Sequence, residues 1–423
     1  MPGCAVSGTL EATTPAQTGE RIGTLDFIRG VAVMGIIFAN ITAFGQPFSA
    51  AFDPRSFMTP LNAADRWSWL VQLVLIDGKL RGLFTLLFGA GLILFTDKAA
   101  ARGAGIGLQV RRLFWLFCFG AAHFVLLWQG DILMSYAIAG LLVLPFLRWG
   151  GQRLLVVGIA GYVVGALALT ALYGFSATVA RDNMAGHPVF GGTHIQLATA
   201  EQLTTAQDRA QGAIIIAGDY ASFVRQNLAD LPGQLGFNIV LNMAETLPLL
   251  LLGMGLYRLG FVTGTVDRRR VLRWSAMGIV AGGAVTAWLG WQEMQRGFSY
   301  FGTIWVIMGS TMLPRLPLIL GLAGLLILAS GGAGGWLGER IGAVGRAAFS
   351  NYLGTSFAML WVFHGFGLGL FGKLDRVELY GVAVLTAVAM LLWSKPWLDR
   401  FRYGPLEWLW RCLTYSQRLS LRR

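Results

Sequence analysis

Residues 24–45 read TLDFIRGVAVMGIIFANITAFG, with Asp26 and Arg29 the only charges and both near the start. About 20 apolar residues, each rising 1.5 Å along a helix, cross the roughly 30 Å hydrocarbon core of a bilayer, so this stretch reads as a transmembrane helix. Similar stretches recur, near Trp67–Phe95, Leu113–Trp128, Ile132–Leu147, Leu154–Phe175, Phe237–Tyr257, Val271–Trp291, Met312–Ala329, Val344–Phe371 and Leu379–Trp393. The fold class they predict is all-α: a polytopic integral membrane protein of about ten transmembrane helices. The second and ninth stretches are longer than a single crossing needs, and Asp77-Gly78-Lys79 is where the second is expected to break.

Composition excludes the soluble alternatives. Of 423 residues, 55% are hydrophobic and 13% charged, with a mean hydropathy of +0.60, against about 25% charged residues in an ordinary soluble domain. The net charge of +12 would suggest nucleic acid in a soluble chain. Here the basic residues concentrate in short segments between apolar runs, where they set topology, so membrane lipids and not nucleic acid are the implied partner. With the N-terminus inside, the cytoplasmic segments carry 21 Lys and Arg and the outer segments eight, which favours ten spans with both termini in the cytoplasm of a bacterial inner membrane.

The domain reading is a loose cytoplasmic tail over residues 1–20, a ten-helix membrane domain over 21–400 and a basic cytoplasmic tail over 401–423. Residues 1–20 lack the basic start and apolar core of a secretory signal. One long outer loop, 176–234, places Ile215, Tyr220, Phe223 and Leu228 at helical spacing, which predicts a helix lying on the outer leaflet. Cys4, Cys118 and Cys412 form neither a disulfide framework nor a zinc spacing, and His187 and His194 in the outer loop have no metal-ligand spacing, so no metal site is predicted.

An ionisable group in a span costs several kcal/mol unless paired or hydrated, which makes such groups functional candidates. Asp26 and Arg29 share one helical face and can pair, either as a structural anchor or as part of a substrate site, and Asn40 ends the same span. Asp77, Lys79 and Arg81 surround Gly78 and Gly82, and a broken helix with both charge signs is what a substrate or ion site uses. They are expected to line a hydrated intramembrane cavity. Glu245 shares a stripe with Asn238 and Asn242 and needs a cationic partner, for which Arg81 or Lys79 would serve. His123, followed by Gln129 and Asp131 in a tight outer hairpin, reads either as a packing residue or as a general base oriented by Asp131 or by a carboxylate from a neighbouring helix. Asn351 lies in the polar Ser350-Asn351-Tyr352 insertion in the ninth span. The segment Gly367-Leu-Gly369-Leu-Phe-Gly372 matches a dinucleotide fingerprint, but no strand precedes it and it reads as helix packing.

The segments Arg21-Ile-Gly-Thr-Leu-Asp26-Phe-Ile-Arg29-Gly30, Gly78-Lys79-Leu-Arg81 leading to Leu87-Phe88-Gly89-Ala90-Gly91, His123 through Gly130-Asp131-Ile132-Leu133 with Tyr136, and Ser350-Asn351-Tyr352-Leu353 resemble the YeiB-type bacterial membrane proteins. So do Gly345-Arg346, Gly367-Leu368-Gly369 and Gly404-Pro405-Leu406-Glu407-Trp408-Leu409-Trp410-Arg411. The N-terminal pattern is similar to that of the transmembrane acyltransferases, which move acyl groups onto envelope or lumenal sugars. That resemblance implies an acyl-transfer fold, an acyl-CoA donor with no bound cofactor, and an envelope sugar or lipid-linked acceptor. Those enzymes generally carry a histidine at or shortly after the end of the first helix. Here Asn40 stands in that place, so the resemblance leaves His123 as the substitute. A transporter or flippase using Asp77, Lys79, Arg81 and Glu245 at the midplane is the competing reading, and a structural role for the ion pairs is the third.

Overall fold

The computed structural model describes residues 23–261, 267–331 and 334–423. The expected N-terminal tail, with Cys4 and Arg21, lies outside the described residues, as do the side chains of Asp182 and Asn238. Among the described residues the chain is all-helical, with no strand and one isolated bridge between Phe401 and Arg422. We number the helices α1 (Gly23–Gly45), α2 (Ala63–Leu75), α3 (Lys79–Ala100), α4 (Gly107–Leu126), α5 (Leu133–Leu142), α6 (Gly151–Val179), α7 (Gly191–Ala217) and α8 (Tyr220–Gly233). They continue with α9 (Ile239–Arg258), α10 (Arg268–Gln295), α11 (Tyr300–Trp305), α12 (Met312–Ser330), α13 (Trp336–Arg346), α14 (Ala348–Phe363), α15 (Arg376–Arg400) and α16 (Pro405–Tyr415).

Five described helical stretches are long and apolar enough to cross a membrane: α1, the α2–α3 unit, α6, α12 and α15; a bent pair, Tyr220–Gly236 with Leu241–Arg258, makes a sixth if counted as one. Large apolar side chains on their outer faces and on α10 point away from the protein, including Val156 (67% exposed), Trp274 (71%) and Leu385 (71%). Water would penalise such a surface and hydrocarbon does not, so the molecule is a multi-pass membrane protein.

Three expected spans differ from the observed helices. The ninth, expected over Val344–Phe371, is two helices that meet at Ala347, and α14 ends at Phe363. The Glu407 carboxylate accepts the amides of Phe349 (2.7 Å) and Ser350 (3.0 Å), so a residue of α16 caps the start of α14 and fixes the break. Gly369 and Gly372 then adopt positive φ, which turns the chain before α15 and makes the fingerprint-like segment a loop. The fourth stretch ends as a helix at Leu142 and finishes in a tighter turn over Leu144–Arg148, where Pro145 removes an amide donor. The sixth begins with a π-helical turn over Gln234–Asn238. The second stretch breaks where expected: Gly78 has φ +74° between α2 and α3.

The segment expected as the outer loop folds mainly as two helices, α7 and α8, joined at Gly218. Ile215 and Phe223 turn into the bundle while Leu228 stays exposed. Residues 401–423, expected as a basic tail, carry α16, which docks on α4 through the Trp410 indole donating to the Arg112 carbonyl (2.9 Å).

Helix α1 sits at the centre, against α3, α12, α13, α14 and α15. Its approach to α13 depends on two glycines: a Cβ at Gly30 would run into the Ile341 carbonyl and one at Gly345 into the Asp26 carbonyl. Small residues of this kind let membrane helices pack backbone to backbone, where dispersion and not the hydrophobic effect holds them. Gly345→Val should therefore push α13 off α1, at about 1–3 kcal/mol or more for overpacking. Thermal unfolding in detergent, followed by fluorescence-detected size exclusion, should show a clearly lower midpoint than for Gly342→Val, since a Cβ at Gly342 meets open space.

Candidate active site

A cavity of about 300 Å³ opens among α1, α3, α4, α5, α14 and α16. One end is set by residues at helix termini and connections: Arg29, Lys98, Arg102, Arg112, Arg346 and Arg411, with Asp26 and Glu407 the only acids. The Asp26 carboxylate accepts from the Arg29 guanidinium at 2.9 Å, so the expected pair forms and lines this cavity. Arg112 stacks over the rings of Phe95 and Trp410, each 4.7 Å from its Cζ, and one guanidinium nitrogen, NH1, is buried without a hydrogen-bond partner. Deeper in, the lining turns apolar and aromatic, with Ile36, Phe84, Phe88, Ile132, Tyr136 and Tyr352. Phe84 and Phe88 both stack on Tyr136. A cationic rim over an aromatic throat suits an amphiphile with an anionic head and an apolar tail.

Beyond Tyr352 lies His123. Its Nδ1 is 2.8 Å from Asp131 Oδ2 and its Nε2 is 2.8 Å from Ser356 Oγ, and the histidine and aspartate side chains are fully buried. The second Asp131 oxygen accepts the Met134 amide at 2.9 Å. An ionised aspartate accepts from Nδ1–H, so in the neutral imidazole Nε2 is the acceptor of the Ser356 proton. The hairpin after α4 thus brings Asp131 back onto His123, one of the two carboxylate sources that the sequence left open, while Ser356 arrives from α14. Further along α14, a small pocket of about 30 Å³ is lined by Trp128, Gln129, Met359 and His364. The Gln129 amide donates there to Asn227 of α8 (2.9 Å).

The charges around Gly78 form a separate cluster. Glu245 on α9 is held by Arg81 on α3 and by Arg315 on α12, the latter at 3.1 Å. Arg81 also donates to Asn242 (3.2 Å), and Arg315 donates to the Ile307 carbonyl and Thr311 Oγ1. Lys79 is buried on the Leu73 carbonyl, and Asp77 accepts from Gln72 at 2.8 Å. None of Asp77, Lys79, Arg81 or Glu245 lines the 300 Å³ cavity. Asn40 lines neither cavity, and the Asn351 amide is taken up by the Val344 carbonyl, Ser394 and Trp393. The expected candidates therefore fall into an Asp26–Arg29 rim, a His123–Asp131 centre and a Glu245 clamp, and not into one pocket.

Comparison with known proteins was informative at this point. Residues 256–417 match a family described as "Protein of unknown function (DUF418)". The chain is 27% identical to "Uncharacterized protein YxaH" of Bacillus subtilis, over 96% of this chain and 97% of that protein. It is 29% identical to "Uncharacterized protein YeiB" of Escherichia coli, over 93% and 96%. It is similar to these proteins over nearly its whole length. It is also 24% identical to an "Uncharacterized 39.9 kDa protein in amylase 3'region" of Bacillus acidopullulyticus, over 96% of this chain and 97% of that protein. No solved structure matches.

Three residues gain partnerships that the sequence does not signal: Arg315 with Glu245, Ser356 with His123, and Arg112 with the Trp410 ring at the cavity rim. Each partnership crosses more than 60 residues, so no local pattern exposes it. The clamp makes a direct prediction. Removing the Glu245 charge leaves Arg315 buried and uncompensated, a loss on the order of 3–5 kcal/mol. Glu245→Gln should therefore yield little folded protein on size exclusion, while Arg315→Met in the same chain should restore part of it.

Proposed function

We propose that this protein is an O-acyltransferase of the bacterial inner membrane, with ten spans and both termini in the cytoplasm, that passes an acyl group from a cytoplasmic thioester such as acyl-CoA to an envelope sugar or lipid acceptor. The observation that carries this reading is the buried His123–Asp131 pair at the apolar end of a cavity whose other end is basic. The rim cations Arg29, Lys98, Arg102, Arg112, Arg346 and Arg411 would hold the donor phosphates, and the throat of Phe84, Phe88 and Tyr136 would hold the acyl chain. Asp131 fixes the proton on Nδ1 and stabilises the imidazolium once it forms, so Nε2 is free to take a proton from a hydroxyl. The rim lies at the end of the bundle that the charge asymmetry assigns to the cytoplasm, and the small pocket beside Gln129 and His364 faces the other way.

A carrier reading has its own observation, the Glu245 clamp beside the Gly78 break. In that case the clamp would open during transport and no thioester would be consumed. Mass spectrometry of envelope glycans and lipids from a deletion strain, beside its complemented strain, separates the two. Loss of an acyl mass supports the transferase, and accumulation of an unmodified lipid carrier supports transport.

Two further outcomes are expected. Glutamine keeps a hydrogen bond but takes up no proton at neutral pH. His123→Gln should therefore lower acyl transfer by about 10²–10⁴-fold at unchanged protein abundance, and wild-type transfer in that variant would reduce His123 to a packing residue. Thiol labelling of single cysteines beside Lys98, Arg153, Arg269 and Arg346 should report the cytoplasm, and beside Asp53, His194 and Arg296 the outside. Two adjacent reversals would overturn the ten-span topology.

A further inference from the structure

Serine and threonine hydroxyls in apolar helices ordinarily donate to the carbonyl one turn back, as Thr355 does to Asn351 (2.7 Å) and Thr85 to Arg81 (2.8 Å). Ser356, the very next residue, does not. Its hydroxyl is 1% exposed and its hydrogen-bond partner is His123 Nε2 at 2.8 Å, across 233 residues of sequence. A serine proton aimed at an imidazole whose far nitrogen is held by a carboxylate is the arrangement that activates an alcohol as a nucleophile. From this geometry we infer that Ser356 is acylated during the reaction, so that transfer proceeds in two steps through an ester on α14. The inference rests on the acyltransferase reading and deepens it.

Position supports this role. Tyr352 is one turn before Ser356, on the same face of α14, and it lines the donor cavity. Its ring centroid is 5.1 Å from that of His123, and its hydroxyl makes a long, 3.5 Å bond to the Gly130 carbonyl. Tyr352 is thus a thin partition between the cavity and the triad, and a turn of its side chain brings a thioester carbonyl to Ser356. One turn further along the same face, Met359, with Trp128 from the hairpin, lines the second pocket. An ester on Ser356 would lie between the two cavities, reachable by a donor from the basic side and by an acceptor from the opposite side.

In the first step Ser356 Oγ bonds to the thioester carbonyl carbon as its proton passes to His123 Nε2. The carbon–sulfur bond then breaks and the thiol leaves with that proton. In the second step the acceptor hydroxyl gives its proton to His123 and its oxygen bonds to the ester carbonyl carbon. Ser356 Oγ departs and recovers the proton. The acyl group moves from sulfur to oxygen with no change in oxidation state.

The test uses the full-length protein purified in detergent and incubated, without acceptor, with radiolabelled acetyl-coenzyme A and, separately, palmitoyl-coenzyme A. After acid quench, label should reach at most one acyl group per chain and map to the peptide containing Ser356. Ser356→Ala should carry no label and lose roughly a hundredfold or more of thioester turnover. Ser356→Cys should keep the label, now as a thioester released by neutral hydroxylamine, which excludes misfolding as the cause of the alanine result. Turnover by Ser356→Ala at the wild-type rate, or wild-type turnover with no label at Ser356, would overturn the covalent step and leave the acyltransferase reading standing. Failure of the wild type to consume either thioester in the presence of envelope lipid extract would overturn both.

Discussion

A charge buried in a membrane protein has to find its counter-charge inside the protein, because neither lipid nor bulk water can supply it. Glu245 meets that constraint with two arginines from two other helices, so α3, α9 and α12 are tied at one point. The clamp also sets the site at one remove. The carbonyl of Arg81 accepts the Tyr136 hydroxyl, and Thr85 on the next turn bonds that same hydroxyl at 2.9 Å. Tyr136 in turn carries the stacked rings of Phe84 and Phe88 that form the cavity throat. Break the clamp and the throat loses its floor.

The second determinant is the junction of α13, α14 and α16. Glu407 caps α14 with one oxygen and accepts the Ser350 hydroxyl with the other (2.5 Å), and burial raises its pKa above the usual carboxylate range. Capping from a different helix fixes where α14 begins, and hence the heights of Tyr352 and Ser356 along its axis. The Gly30–Gly345 contact does the same for α13 against α1 and places Asp26 and Arg29 at the rim. The basic end and the His123 centre are therefore held by separate contacts and are joined by α4, which carries both Arg112 and His123, and by α14.

The broken second helix illustrates how a correct local reading can lead to the wrong surroundings. The break at Gly78 and the polarity of Asp77, Lys79 and Arg81 are legible because glycine and intramembrane charge are both locally anomalous. A hydrated cavity does not follow from them. Lys79 turns back to the Leu73 carbonyl, Asp77 binds Gln72, and Gln72 in turn accepts from the buried Arg376 (2.8 Å). Each of these side chains found at least one protein partner, and the 300 Å³ cavity opened elsewhere, where cations at helix ends surround aromatic side chains.

Hydropathy, the basic asymmetry of the connections and the glycine among charges at 77–79 depend on residues near one another in the chain, so the sequence by itself determined the all-helical membrane architecture, the break at Gly78 and the candidacy of His123, with Asp131 as one of its possible partners. The Arg315 counter-charge, the Glu407 cap, the gathering of basic residues from five segments at one rim and the arrival of Ser356 at His123 were decided by tertiary structure alone. They are meetings between helices far apart in the chain, set by which faces pack closely enough to satisfy buried polar groups. Helical periodicity states which face is polar but not which helix will be opposite it.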